Sequence, residues 1–80
     1  MAEQPINEQI RSRITQAIPG AEVEVEGAGG HFTIAVTSAA FEGKSLLAKQ
    51  RMVYTAIADL MKGDAAPVHA VDKLLTELPG

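Results

Sequence analysis

The stretch that most constrains this chain is residues 41–61, which opens Phe41-Glu42-Gly43-Lys44-Ser45 and runs into its longest helical pattern. Leu46, Leu47, Val53, Tyr54, Ile57, Leu60 and Met61 project onto one arc of about 140° at about 100° per residue. That arc is expected to face the core. Gln50 falls inside it, which requires a buried partner or a place at the end of the interface. Ala48, Arg51, Thr55, Asp59 and Lys62 take the far side. Gly63 is a natural helix stop, and residues 64–67 read as a loop.

A helix this apolar on one side needs a surface to cover, and the preceding residues supply it. Ile6, Ile10, Ile14, Ala17 and Ile18 recur at helical spacing among polar neighbours, giving an amphipathic helix of about three turns. Pro5 or Asn7 starts it, and Pro19-Gly20 ends it. Glu22-Val23-Glu24-Val25-Glu26 then alternates with the period of a half-buried strand. Gly27-Ala28-Gly29-Gly30 reads as a turn. Phe32, Ile34 and Val36 alternate with Thr33, Ala35 and Thr37, completing a hairpin. By parity His31 shares the Thr33 face and stands near the solvent mouth of the hairpin. Phe41 anchors the connection to the long helix. Residues 68–75 read as a third strand carrying His69, and residues 76–80 as a tail.

The order helix, strand, strand, helix, strand implies a two-layer α+β domain, with two helices on a three-stranded sheet. Eighty residues suit a single domain over 1–80, with its core at about 6–75 and flexible ends. The chain is 46% apolar, too much for disorder. No apolar run approaches the roughly 18 residues that span a bilayer. No signal peptide is expected, and a cytoplasmic location is the default.

Several chemistries are disfavoured. Gly43-Lys44-Ser45 resembles the end of a phosphate-binding loop, but the motif wants glycine where Ser38 stands. Gly27-Ala28-Gly29-Gly30 spells the G-x-x-G of RNA-binding KH domains, yet it joins two strands beside Glu22, Glu24 and Glu26. No serine has a nucleophile-elbow context. The glutamates lie along the outer face of a strand rather than paired in a pocket. An enzyme is therefore not expected. The net charge of −3 disfavours broad phosphate neutralisation.

The chain has no cysteine and two histidines. Local spacing supports no closed zinc site. Two imidazoles can, however, occupy one iron of a [2Fe–2S] cluster while thiolates hold the other. A partner would have to bring the sulfur, so no cofactor is expected in the isolated chain.

At Phe41-Glu42-Gly43-Lys44-Ser45-Leu46-Leu47, Arg51-Met52-Val53-Tyr54 and Val68-His69-Ala70-Val71, with Gly30-His31-Phe32 before them, the chain resembles the BolA-like family. Lys49-Gln50 and the short cysteine-free hairpin loop look closest to its IbaG (YrbA) branch. The resemblance implies an α-β-β-α-β fold of class II KH-like topology. It implies a non-enzymatic partner of monothiol glutaredoxins that shares a [2Fe–2S] cluster, with His69 as ligand and His31 as candidate second ligand. A neutral imidazole is the ligating form, so binding weakens on acidification. After Val71 the family continues into an alternating strand and a final helix. Asp72-Lys73-Leu74-Leu75 breaks that pattern, so the helix is expected to be absent or reduced to a turn. An alternative is a nucleic-acid-binding regulator using Lys44, Arg51 and Lys62, which project within about 20° of one another on a continuous helix. A third reading is a small interaction domain without metal.

Overall fold

The computed structural model describes residues 5–63 and 66–80, and its elements follow the expected order. Helix α1 spans Ile6–Ala17. Pro5 occupies the cap position with φ −53° and no side-chain cap bond; its carbonyl accepts from Gln9 N at 3.0 Å. Ile10 and Ile14 are buried along one side. The helix stops where Ile18 turns extended, the geometry that the ring of Pro19 imposes on the residue before it.

Strands β1 (Glu22–Ala28) and β2 (His31–Thr37) pair antiparallel from Glu22 opposite Thr37 to Ala28 opposite His31. Pairing continues two residues past Glu26, leaving Gly29-Gly30 as the loop. Their φ values of +65° and +85° meet the positive-φ requirement of a two-residue type I′ turn. Val23, Phe32, Ile34 and Val36 are buried on one face, and Glu22, Glu24 and Glu26 are exposed on the other.

Ser38 then ties three parts of the chain together. It is fully buried. Its Oγ donates to the Pro19 carbonyl at 2.8 Å and accepts from Ala40 N at 3.1 Å. Its backbone N donates to the Glu77 carbonyl at 3.0 Å. A 3₁₀ turn at Ala39–Phe41 follows and buries Phe41, as expected.

Helix α2 is Leu46–Ala56, 11 residues against the 12 of α1, so residues 41–61 are not one long helix. Ser45 caps it by accepting from Ala48 N at 3.1 Å. After Ala56 the chain tightens into a 3₁₀ turn at Ala58–Leu60. The expected apolar arc is only partly buried. Val53, Ile57 and Leu60 are in the core, whereas Leu46, Leu47 and Tyr54 are 61%, 56% and 38% exposed. At about 100° per residue Leu47 and Tyr54 stand about 100–120° from Val53, outside the seam. Leu46 shares Val53's phase, but the covered surface begins further along the helix. Gln50 is half-buried.

Val68 is 1% exposed and donates its N–H to the Leu60 carbonyl at 3.1 Å. Residues 64–65 of the expected loop lie outside the described residues. Strand β3 spans Ala70–Glu77 and runs parallel to β2, giving the sheet order β1-β2-β3. It starts later than expected, so His69 precedes the strand rather than lying in it. It also ends later, so Thr76 and Glu77 belong to the sheet rather than to a tail. Leu78–Gly80 form no helix. Two helices over a three-stranded mixed sheet make the expected α+β domain, whose buried side chains form a shared core from Ile10 to Val68. Among the described residues no helix is long and apolar enough to cross a membrane.

Candidate functional site

Both histidines lie near the tip of the β1–β2 hairpin: His31 opens β2, and the backbone of His69 is bonded to the turn. Gly30, the last residue of the turn, is buried. Its carbonyl accepts from both His69 N, at 2.8 Å, and Ala70 N, at 2.9 Å. His31 follows Gly30 directly and lies opposite Ala70 in the parallel ladder. His69 thus immediately precedes Ala70, the residue that pairs with His31, and lies just before β3.

The glycine matters for more than the turn. A Cβ built on Gly30 would run into the His69 ring at Cδ2. The imidazole therefore lies in a cradle that exists because position 30 has no side chain. Val68 anchors the segment from below, and His69 itself is exposed. His31 is also exposed, on the side of the sheet that its parity indicated. Its Nδ1 lies 3.2 Å from Oδ1 of Asp72.

Among the described residues no group of three or more His, Cys, Asp or Glu is arranged to hold a metal ion. The chain offers instead two exposed imidazoles on neighbouring positions, one seated by a glycine and one oriented by a carboxylate. Two imidazoles are fewer donors than a closed metal site needs.

The three cations lie elsewhere, and the helix does not align them. Lys44 precedes the Ser45 cap, and Lys62 follows the second 3₁₀ turn, so Arg51 alone lies within α2. The helical phase that grouped them on a continuous helix does not apply. All three are exposed. Arg51 lines a groove of roughly 800 Å³ between α1 and α2, with Arg13, Ala17, Leu47 and Met52. Arg13 is already engaged there, its Nε donating to Asp59 Oδ2 at 2.8 Å. Neither histidine lines this groove.

Sequence reasoning missed the parts played by Gly30 and Asp72. For Asp72 a signal was present, a poor strand former just inside a strand; for Gly30 none was.

A two-layer α+β domain with two exposed histidines near a hairpin tip is thus the class that fold and site define. The chain belongs to the BolA-like protein family, whose sequence profile matches residues 8–76. It is 32% identical to human BolA-like protein 1, over 84% of this chain and 54% of that protein. The chain therefore spans about half the length of the curated relatives it matches. Among solved structures it resembles the BolA domain of SufE1 from Arabidopsis thaliana, with a TM-score of 0.79 and 27% identity over 98% of this chain and 96% of that one. A bolA protein homologue from Coxiella burnetii superimposes with a TM-score of 0.74 and 31% identity, over 99% of this chain and 94% of that one.

Proposed function

We propose that this chain is a non-enzymatic adaptor that binds a monothiol glutaredoxin and contributes imidazole ligands to a [2Fe–2S] cluster shared between the two. The observation that carries the reading is the exposed His69 ring, seated on Gly30, the residue that precedes the exposed His31. Membership of the BolA-like family supports it. The shared cluster is what the two proteins would hold together; in such a complex His69 is the principal ligand of this chain and His31 the second. Each would bind through a neutral imidazole nitrogen. The thiolates that complete the site come from the partner and glutathione, since this chain has no cysteine.

The remaining residues shape and present the site. The Gly30 carbonyl fixes the backbone of residues 69 and 70 through two hydrogen bonds. Burial of Val68 holds the approach to His69 against the core.

The test is to mix the chain with a monothiol glutaredoxin, glutathione, iron and sulfide, and to record visible absorption and circular dichroism. Wild type is expected to give a cluster spectrum distinct from that of glutaredoxin alone, and His69→Ala to lose it. An unchanged spectrum and affinity in His69→Ala would overturn the ligand assignment. The nucleic-acid alternative rests on the exposed Lys44, Arg51 and Lys62, without the helical stripe that suggested it.

A further inference from the structure

Strand β3 does not run evenly along β2. Phe32 lies opposite Val71 and Thr33 opposite Lys73, so Asp72 is an extra residue on the β3 side. A bulge of this kind bends its strand and re-aims a side chain, and bulges gather beside functional sites. Here the side chain concerned is Asp72, whose Oδ1 comes within 3.2 Å of Nδ1 of His31. The break in alternation at Asp72-Lys73 is therefore a local device that brings a carboxylate to a histidine.

The contact decides which nitrogen of His31 carries hydrogen. An ionised carboxylate can only accept a hydrogen bond, so the nitrogen facing it must be the donor. His31 is then the Nδ1–H form, with its lone pair on Nε2. A histidine side chain free in water favours the opposite neutral form, with hydrogen on Nε2. A hydrogen bond to Asp72 favours the form with hydrogen on Nδ1 instead. Nε2 lies on the ring edge away from Asp72, in a side chain that is 61% exposed. Metal-bound histidines commonly donate their other N–H to a carboxylate, which fixes the ring and raises the basicity of the ligating nitrogen.

We propose that Asp72 is a positioning residue: through the bulge it holds His31 as the Nδ1–H tautomer and presents Nε2 as the metal-binding atom. The identity of what Nε2 binds rests on the cluster-adaptor reading above; the tautomer does not. His69 makes no ring hydrogen bond among the described residues and is held by packing on Gly30. It is the internal reference for an imidazole without an orienting carboxylate.

The experiment uses the full chain with nitrogen-15 in its histidines, at a pH where imidazole is neutral, about 8. Long-range proton–nitrogen spectra separate the two tautomers of each ring. His31 is expected mainly as Nδ1–H and His69 mainly as Nε2–H. Asp72→Ala should move the His31 ratio towards Nε2–H by about three-fold or more, the scale of an exposed charged contact. Asp72→Asn, whose side-chain oxygen still accepts but carries no charge, should fall between. Backbone amide spectra of β1 and β2 check that both variants stay folded.

Equal tautomer ratios for His31 in wild type and Asp72→Ala would overturn the role of Asp72, whatever the cluster does. The metal half is read separately in the complex with glutaredoxin, glutathione, iron and sulfide. There His31→Ala and Asp72→Ala should each change the visible circular dichroism of the cluster. If the tautomer responds to Asp72 but the wild-type chain forms no shared cluster, the adaptor reading fails, and the ligand half of this proposal fails with it. If the cluster forms and His31→Ala leaves its spectrum unchanged, the ligand half alone fails.

Discussion

A side chain at position 30 would compete for the space that the His69 ring occupies. It would also have to adopt φ +85°, a left-handed conformation that costs an L-residue roughly 1–2 kcal/mol. Gly30→Ala is therefore expected to lower unfolding stability by at least about 1 kcal/mol in urea denaturation. It should also shift the ring resonances of His69 while leaving those of buried residues in α1 in place. A neutral effect on both would show that the cradle is not needed. The alternation of Phe32, Ile34 and Val36 was enough to place His31 on the open face, because a period of two is local and follows from backbone pleating. The contact between Gly30 and His69 was not legible in this way. It joins two segments that meet only through parallel pairing of β2 and β3, and no spacing in the chain encodes it. Asp72 lay in between: its break in the pattern was visible, but its partner was not.

At the scale of elements, α1 and the hairpin followed from periodicity and punctuation. Isoleucines at helical spacing end at Pro19-Gly20, and two alternating runs flank a glycine pair. Helix α2 was harder because residues 41–61 hold more apolar side chains than the seam can cover. One side of α2, from Leu47 to Ala56, borders the groove with α1, where Leu47 lines an open wall. Within α2 only Val53 is fully buried, and the 3₁₀ turn then changes the phase from about 3.6 to 3.0 residues per turn. Periodicity counts apolar residues on an arc; it does not report where along the helix the neighbouring layer begins. A pair of substitutions separates these zones. Ile57→Ala, at a fully buried position, should cost about 2–5 kcal/mol of unfolding free energy. Leu47→Ala, on the exposed wall, should stay within about 0.5 kcal/mol of wild type. Equal costs in urea titrations would contradict the burial pattern.

For the molecule as a whole, the two-layer arrangement was legible from element order alone, since two amphipathic helices and three half-apolar strands have few ways to bury their faces. Ser38 shows what that order leaves out. One buried hydroxyl joins the end of α1 to the first 3₁₀ turn, while the same residue's N–H reaches the end of β3. Nothing in the local sequence distinguishes it from a loop serine.

The row of glutamates on β1 has a consequence for crowding. With the order β1-β2-β3, β1 is an outer strand whose far side has backbone groups with no neighbour in the sheet. Such a margin invites a second molecule to extend the sheet. Two copies meeting antiparallel along β1 would bring Glu22, Glu24 and Glu26 of one against those of the other, and like charges directly opposite repel. The carboxylates thus form a fence that disfavours one copy templating on the next. Replacing all three with glutamine should leave the monomer's fold intact yet raise self-association, seen as a concentration-dependent increase in sedimentation coefficient. If the neutralised chain stays monomeric over the same range, the fence is not what holds copies apart.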